Sequence, residues 1–255
     1  MTDTITTATA AGVMTLTFNR PDKKNAITAA MYAAAAQALR AADSDGTVRV
    51  VVLTGAGDAF TAGNDLKDFA ENPPKGGDAP VFQFMDALAS FTKPVIAAVN
   101  GVAVGIGTTL LLHCDGAYAV PAAKFSLPFV NLALVPEFGS SLLLARFVGQ
   151  RKASELLMSG APFDASAALD MGLLSAVVPA DQLQSTVTAA ATALAAKPPA
   201  ALRAAKALIR GDLAAVKAAI AHEAKIFGQR LQSPELQEAV NAFFSKRPPD
   251  FSKFS

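Results

Sequence analysis

Two glycine-containing segments and one isolated glutamate are the parts of this sequence best suited to chemistry. Residues 60–67 (FTAGNDLK) and residues 100–107 (NGVAVGIG) each follow a short apolar run that is typical of a buried strand. Glycine lets a backbone N–H group approach a ligand closely, and a helix that begins there adds a positive dipole. Either segment alone is also what a tight strand-to-helix turn requires, and neither completes a dinucleotide fingerprint or a P-loop.

Together the two segments indicate a site, because open sheets bind ligands at the carboxyl ends of their strands. Two backbone N–H groups there would stabilise one developing oxyanion, and loss of one such donor costs ~10²–10³ in rate. The glutamate is Glu137, within residues 134–141 (LVPEFGSS), just before a helix start. Apolar neighbours would raise the pKa of its carboxyl group and suit it to take and return a proton. An exposed acid at a helix start is the other interpretation.

These segments need a sheet to position them, and the apolar pattern predicts one. Strands are predicted at residues 13–18, 48–53, 95–99 and 116–120, and helices at residues 28–42 and 81–91. Strand, helix and strand at this spacing imply crossover connections and a mostly parallel sheet. Residues 71–80, which are rich in Pro and Gly, predict an irregular excursion.

The second half of the chain is predicted to be mostly helical. Helical patterns cover residues 151–159, 164–171, 181–196, 199–210, 213–228 and 234–245. We therefore predict an α/β fold with a core domain over residues 1–195 and a C-terminal helical oligomerisation region over residues 196–255. The late helices are rich in Ala and poor in charge, which indicates that some bury a face against other subunits.

The composition favours a folded chain of a reducing compartment. Of 255 residues, 52% are hydrophobic and 17% are charged, which is enough for a sizeable core. Lys plus Arg total 22 against 21 for Asp plus Glu, and this balance disfavours a nucleic-acid partner. One cysteine, Cys114, excludes an intrachain disulfide. No secretory signal or membrane span is predicted, so we expect a cytoplasmic protein without a membrane partner.

Three ordered motifs resemble the crotonase, or enoyl-CoA hydratase/isomerase, superfamily, from about Leu16 to the C-terminus. They lie at residues 19–26 (NRPDKKNA), at residues 60–67, and at residues 97–101 (AAVNG) with Gly105. The resemblance implies a ββα-superhelix core, a C-terminal α-helical trimerisation region, and a homotrimer or a hexamer built as a dimer of trimers. It also implies a coenzyme A thioester as the substrate. We expect no permanently bound cofactor and no metal.

The same resemblance implies an oxyanion site built from backbone groups. The thioester oxygen would be held by the N–H groups of Asn64 and Ile106. Many members of the family have Gly at the position of Ile106, so the loop tolerates isoleucine only if its φ is negative. The donors belong to the backbone, so the side chains at these two positions are only loosely constrained.

The acids of the sequence fit one branch of this family. Hydratases of the family use two glutamates at the positions of Thr109 and Phe129, and neither residue can activate water. Glu137 lies where the peroxisomal-type Δ3,Δ2-enoyl-CoA isomerases have their catalytic base. The resemblance therefore implies that Glu137 transfers a proton from C2 to C4 of a 3-enoyl-CoA and so shifts a C3=C4 double bond to C2=C3.

Further residues are candidates for binding coenzyme A or the acyl chain. They are Lys23, Ala62, Asp65, Leu66, Lys67, Gly105, Phe129 and Phe243. Asp65 is also suited to cap a helix, and Lys67 to a solvated surface. We expect His113 to be a hydrogen-bonded core residue and Cys114 to be a small buried hydrophobe.

Two other functions remain open. One is another crotonase-type reaction, either that of an acyl-CoA lyase or hydration of an enoyl-CoA by Glu137 alone, or by Asp68 or Glu71 from the irregular excursion. The other is a catalytically silent protein that binds coenzyme A esters. Some members of the family bind RNA, which the net charge of +1 disfavours here.

Overall fold

Two sheets of mostly parallel strands form the centre of the fold. The computed structural model describes residues 3–74 and 76–254. The strands are β1 (Ile5–Ala10), β2 (Val13–Phe18), β3 (Val50–Gly55), β4 (Ala59–Thr61), β5 (Val95–Val99), β6 (Val102–Val104), β7 (Gly116–Ala119), β8 (Lys124–Ser126), β9 (Phe163–Asp164) and β10 (Ala176–Val177). Over these residues the first sheet has the order β1-β2-β3-β5-β7-β10, and the second has the order β4-β6-β8-β9.

Buried aliphatic strands hold the first sheet together. β3 (VVVLTG) and β5 (VIAAV) pair in parallel and are buried along most of their length. β2 alternates buried and half-buried residues, because only one of its faces packs fully on the core. β1 pairs antiparallel with β2 through a turn at Ala11 and Gly12, both of which have positive φ. The predicted parallel sheet is present, and an antiparallel hairpin extends its edge.

The second sheet was not expected from the sequence pattern. β4, β6 and β8 have three residues each, which is too short for an alternating pattern to be recognised. Each of them follows a longer strand of the first sheet, and helical turns follow each pair. This recurrence of strand, short strand and helix builds the spiral core of the ββα type. Among the predicted strands, β2 and β5 match their predicted bounds, whereas β3 begins at Val50 rather than Val48.

Helices cover the sheets and fill the C-terminal part of the chain. They are α1 (Ala29–Ser44), α2 (Leu66–Glu71), α3 (Pro80–Ala89), α4 (Ile106–Thr109), α5 (Ser140–Val148), α6 (Gln150–Ser159), α7 (Ala165–Asp170), α8 (Leu183–Ala195), α9 (Pro199–Arg210), α10 (Leu213–Arg230) and α11 (Pro234–Phe244). Thr28 caps α1 by accepting a hydrogen bond of 3.3 Å from the N–H group of Met31. Residues 72–74 and 76–79 belong to no helix or strand, as predicted. Within the described part of the chain, no helix is both long and apolar enough to cross a membrane.

The helices after α8 pack against the core and leave one apolar face uncovered. The ammonium group of Lys206 on α9 lies 2.7 Å from Oδ2 of Asp115, and Lys206 is itself buried. Leu208 and Ile209 on the same helix are 84% and 85% exposed. Apolar side chains this exposed are consistent with burial against other subunits, which stays a prediction.

Candidate active site

The two glycine segments meet where β4 and β6 end side by side. These strands pair in parallel, so the residues that follow them leave the second sheet at the same edge. Gly63 has a φ of 83°, and a Cβ atom at this position would lie 2.6 Å from the carbonyl oxygen of Val104. Only glycine permits so close a backbone approach. The two segments therefore lie against each other, as the sequence predicts.

Asn64 and Ile106 each present a backbone N–H group at this junction. Ile106 is the first residue of α4, where N–H groups have no acceptor within the helix. Gly105 takes a positive φ of 55°, and Ile106 itself is helical, so the condition on its φ is met. Among the described residues, no acceptor lies within hydrogen-bond distance of either N–H group. Both are therefore free to bind an oxygen atom.

Glu137 lies between β8 and α5, and its side chain is buried with only 7% of the residue exposed. The rest of its narrow cavity is apolar and is lined by Phe69, Pro74, Val81, Phe82, Met85, Phe138, Ile220, Ala224 and Phe227. Burial, and next the negative charge of Glu223, raises the pKa of Glu137 to about 8, against a lowering by the Asn64 side chain. Within the described part of the chain its Oε1 has no hydrogen-bond partner. This burial excludes the exposed helix-start interpretation.

A larger cavity lies beside the narrow one, between α3 and α10. The larger cavity has a volume of about 590 Å³. The two cavities share Pro74, Phe82, Ile220, Ala224 and Phe227 as lining residues. The larger cavity suits a hydrocarbon chain, whereas the narrow cavity at Glu137 has a volume of only about 10 Å³.

Asn64 connects the glycine segments to Glu137. Its Oδ1 accepts a hydrogen bond of 2.5 Å from the hydroxyl of Tyr32, a buried residue of α1. Because Oδ1 already accepts, the NH₂ end of the amide is the group that lowers the pKa of Glu137. Burial, and next the charge of Glu137, raises the pKa of Tyr32 well above its usual value, so the phenol stays protonated as the donor. Sequence analysis missed Tyr32, whose signal is a hydroxyl on the buried face of an Ala-rich helix.

The turn that carries Glu137 is fixed on its core side by His113. Phe138 and Gly139 both have left-handed backbone conformations, with φ of 61° and 72°. The carbonyl oxygen of Phe138 accepts a hydrogen bond of 2.8 Å from Nε2 of His113, and the two rings stack at 4.0 Å. Burial lowers the pKa of His113 to about 4, so we assign the neutral tautomer with the proton on Nε2. His113 is thus the hydrogen-bonded core residue that the sequence predicts.

Glu223 of α10 fixes the same turn on its other side. Its carboxylate accepts hydrogen bonds from the N–H groups of Gly139 at 2.6 Å and Ser141 at 2.9 Å, and from the hydroxyl of Ser141. Sequence analysis missed Glu223. Val216 and Phe227 lie on the same buried face of α10, so the available signal is an acid on an otherwise apolar helix face.

The candidate coenzyme A residues differ in exposure. Lys23 and Lys67 are exposed, whereas Ala62 and Leu66 are half-buried. The N–H group of Ala62 donates a hydrogen bond of 2.9 Å to the carbonyl of Lys24, which brings the Lys23 turn beside the first glycine segment. The role of these residues in binding stays a prediction.

Asp65 caps α2, as one of the two interpretations predicts. Its Oδ1 accepts hydrogen bonds from the N–H groups of Lys67 at 3.0 Å and Asp68 at 3.1 Å. Its Oδ2 lies 2.5 Å from a guanidinium nitrogen of Arg20. These contacts fix the backbone immediately after Asn64, while a contact of Asp65 with coenzyme A stays a prediction.

The two positions of the hydratase glutamates lie beside the glycine segments. Thr109 is buried on α4, and its hydroxyl donates a hydrogen bond of 3.5 Å to the carbonyl of Ile106. Phe129 is also buried, and its ring carbon Cε1 lies 3.9 Å from where a Cβ atom of Gly105 would be. Neither side chain can act as an acid or base.

The rival acids Asp68 and Glu71, which the sequence assigned to the irregular excursion, lie instead on α2 and outside the cavity of Glu137. Asp68 accepts a hydrogen bond of 2.7 Å from the first N–H group of α1. Glu71 is exposed, and neither acid is among the described residues that line the narrow cavity. The side chain of Phe243 lies outside the described part of the structure, so its contact with the substrate stays a prediction.

Comparison with known proteins assigns the class that the fold and the site suggest. The family model described as enoyl-CoA hydratase/isomerase matches residues 8–253. A crystal structure of an enoyl-CoA hydratase/isomerase from Pseudoalteromonas atlantica T6c is similar with a TM-score of 0.94 and 41% identity, covering 98% of this chain and 100% of that chain. The chain belongs to the enoyl-CoA hydratase/isomerase family, and its crotonase-type fold with C-terminal helices is confirmed.

Individual relatives carry different names at similar identity. The chain is 37% identical to enoyl-CoA delta isomerase 2 of Homo sapiens over 253 residues, which cover 96% of this chain. The match spans 64% of that human protein, so this chain corresponds to less than two thirds of its length. The chain is also 37% identical to 2,3-dehydroadipyl-CoA hydratase of Escherichia coli (strain K12), with 94% of each covered. Family membership alone therefore does not separate isomerisation from hydration.

Proposed function

We propose that the protein is a Δ3,Δ2-enoyl-CoA isomerase, which moves a C3=C4 double bond of an enoyl-CoA to C2=C3. One observation carries this proposal. Glu137 is buried beside Asn64, while Thr109 and Phe129, which by the resemblance correspond to the two hydratase glutamates, carry no acid. Hydration needs one group to activate water and another to deliver a proton, whereas a proton shift between two carbons needs a single carboxyl group.

The proposed reaction begins with the thioester oxygen bound by the N–H groups of Asn64 and Ile106. Ionised Glu137 removes a proton from C2, and the electron pair of the C–H bond enters a dienolate with its negative charge on the thioester oxygen. The two N–H groups stabilise this charge and thereby acidify C2. Protonated Glu137 then returns the proton to C4, the double bond moves to C2=C3, and the carbonyl re-forms. No atom is gained or lost.

The substrate lies across the edge of the second sheet in this proposal. The acyl chain beyond C4 occupies the cavity between α3 and α10, where the described lining is largely apolar. Coenzyme A lies near Ala62 and Leu66, and the exposed ammonium groups of Lys23 and Lys67 are available to its phosphates. The thioester belongs to the substrate, and the reaction needs no further cofactor.

We also propose that the working protein is a cytoplasmic homotrimer or hexamer. The exposed Leu208 and Ile209 on α9 support burial of this face in an assembly. Sedimentation of the purified protein would give the number of subunits, and a monomer would contradict this part of the proposal.

The experiment that tests the function offers purified protein cis- and trans-3-enoyl-CoA. Formation of the conjugated thioester is followed by its ultraviolet absorbance. The proposal expects the absorbance to rise and the 2-enoyl-CoA product to persist. Binding of 3-enoyl-CoA without any rise, and without exchange of C2 protons in deuterated solvent, would instead identify a catalytically silent binding protein.

Hydration is the second candidate, because the Escherichia coli relative named as a hydratase is as similar as the human isomerase. In that reaction Glu137 alone would activate water for addition to a 2-enoyl-CoA. Incubation with a 2-enoyl-CoA separates the two candidates. Loss of the conjugated absorbance would favour hydration, and persistent absorbance together with conversion of 3-enoyl-CoA would favour isomerisation.

A further inference from the structure

A glutamate from the C-terminal part of the chain acts on Glu137 through its negative charge. Glu223 lies on α10, and its residue is only 5% exposed. Three hydrogen bonds from Gly139 and Ser141 satisfy its carboxylate. Two of the donors are N–H groups at the start of α5, where the helix dipole also favours negative charge. The carboxylate therefore fixes the backbone two to four residues after Glu137.

The two buried carboxyl groups have unequal surroundings. Burial raises the pKa of Glu223, but three hydrogen-bond donors oppose this by favouring its ionised form. Glu137 has an apolar cavity on one side, and its Oε1 has no partner among the described residues. The negative charge of Glu223 raises the pKa of Glu137, because two buried negative charges repel each other. One proton shared between the two groups therefore belongs on Glu137, and the charge belongs on Glu223.

Other titratable groups near the pair do not alter this assignment. Tyr32 on α1 faces Glu137 and stays neutral, because its pKa is raised. From α2 and α3, the described residues that line the cavity of Glu137 are apolar. His222, next to Glu223 on α10, is exposed and only lowers the pKa of Glu223.

The turn at Phe138 and Gly139 is stabilised by hydrogen bonds to residues outside the turn. Phe138 is a non-glycine residue with a φ of 61°, a strained conformation that persists when neighbouring groups enforce it. The carbonyl of Phe138 accepts from His113 and the N–H group of Gly139 donates to Glu223, so both polar groups of the single peptide bond between Phe138 and Gly139 are engaged. We expect that loss of the hydrogen bond to His113 or to Glu223 would let the backbone next to Glu137 move.

We propose that Glu223 is a positioning residue for the reaction: it fixes the turn that presents Glu137, and its negative charge keeps the proton on Glu137 in the resting protein. The part that concerns turnover rests on the proposed isomerase function, whereas the location of the proton does not. The charge of Glu223 then sets the pH range in which Glu137 can act as a base. α10 thereby connects the C-terminal helices to the chemistry of the core.

The location of the proton can be tested without any turnover. Infrared spectroscopy of the wild-type protein at about pH 7 should show a protonated-carboxyl band that disappears in Glu137→Gln and titrates near pH 8. If the band persists in Glu137→Gln, the proton lies on Glu223 and the proposal is overturned. This measurement requires only that the Glu137→Gln variant folds.

The effect of the charge is tested by Glu223→Gln, with Ser141→Ala as the matched variant that removes one donor and keeps both carboxyl groups. Glu223→Gln should move the titration of Glu137 to lower pH, because the repelling charge is removed. It should also lower kcat about tenfold at high pH, because the turn loses its anchor. Ser141→Ala should not move the titration to lower pH. An unmoved titration in folded Glu223→Gln would overturn the proposal.

A third variant, Glu223→Asp, distinguishes the effect of the position of the Glu223 carboxylate from the effect of its charge. It also provides a test if Glu223→Gln does not fold. Glu223→Asp keeps the charge but shortens the side chain, so kcat should fall while the titration of Glu137 stays near pH 8. A titration that moves to low pH in Glu223→Asp would contradict the charge effect. If the infrared titrations behave as described but no variant or wild type converts 3-enoyl-CoA, the isomerase assignment fails and the assignment of the proton stands.

Discussion

The hydroxyl of Tyr32 donates a hydrogen bond of 2.5 Å to Oδ1 of Asn64, and this contact joins α1 to the first glycine segment. The backbone N–H group of Asn64 is free to bind an oxygen atom, while its side-chain amide faces Glu137 and lowers the pKa of that carboxyl group. Asn64 therefore serves both the proposed oxyanion site, through its backbone, and the proposed base Glu137, through its side chain. Its orientation depends on a phenol that lies on a separate helix.

Replacement of Tyr32 by Phe should lower kcat/KM about tenfold or more. The change removes the donor to Oδ1 of the half-buried Asn64, which costs about 1 kcal/mol and frees the amide to turn. Steady-state kinetics with 3-enoyl-CoA measures the effect. Tyr118→Phe is the matched control, since the Tyr118 hydroxyl makes no hydrogen bond to the described residues, and it should retain wild-type kinetics. Wild-type kcat/KM in Tyr32→Phe would contradict the role assigned to this contact.

The pH dependence of kcat/KM should follow the ionisation of Glu137. Its pKa is raised to about 8, and only the ionised carboxylate can remove a proton from C2. The value of kcat/KM should therefore rise with pH, reach half of its maximum near pH 8, and level off above it. Rates measured between about pH 6 and 10 check this. A flat profile, or one that falls over this range, would show that Glu137 does not act as a base in the free enzyme.

Replacement of Glu137 by Gln should stabilise the fold at high pH. The pKa of Glu137 rises from 4.5 to about 8 on folding, so between these values the folded state binds more protons than the unfolded state. Wild-type stability therefore falls as pH rises through this window, whereas Gln does not titrate. The variant should gain a few kcal/mol above pH 8, because each tenfold change in proton affinity on folding corresponds to about 1.4 kcal/mol. Denaturant unfolding at several pH values measures this gain, and a difference that is independent of pH would be the contrary result.

Replacement of Gly63 by Ala should damage the site more than the fold at large. A Cβ atom would lie 2.6 Å from the carbonyl oxygen of Val104, and a φ of 83° is strained for alanine. The two glycine segments must then separate, which displaces one N–H donor and should cost ~10²–10³ in kcat. Gly46→Ala is the control, because no atom lies within 4 Å of its Cβ position, and its kinetics should stay unchanged. Wild-type kcat in Gly63→Ala would argue against an oxyanion site at this junction.

The parts of the site that lie in continuous motifs could be predicted from the sequence. Asn64 and Ile106 follow apolar runs that the pattern predicts as strands, and the fold brings these segments together. Glu137 stands out because the sequence has no acid at the positions of Thr109 and Phe129. The burial of Glu137, however, depends on how α3 and α10 pack around it. Contacts between residues so far apart in the chain produce no local pattern in the sequence.

The residues that the sequence did not reveal act across long separations. Glu223 is 84 residues from Gly139, and Tyr32 is 32 residues from Asn64. Each contact depends on how a helix packs in three dimensions, and helical periodicity reveals only which face is buried. The second sheet escaped prediction for a different reason, since strands of three residues carry too little pattern to be distinguished from loops.

The central claim is that Glu137 carries one proton from C2 to C4, and a substrate deuterated at C2 tests it most directly. Wild-type protein should convert C2-deuterated 3-enoyl-CoA to 2-enoyl-CoA with part of the deuterium at C4, detected by mass spectrometry and NMR. Glu137→Gln should lose at least about 10²-fold in turnover and still bind the coenzyme A ester, while Glu71→Gln, which changes an exposed acid of the same region, should behave as wild type. Conversion by Glu137→Gln at a rate close to that of the wild type would contradict the account.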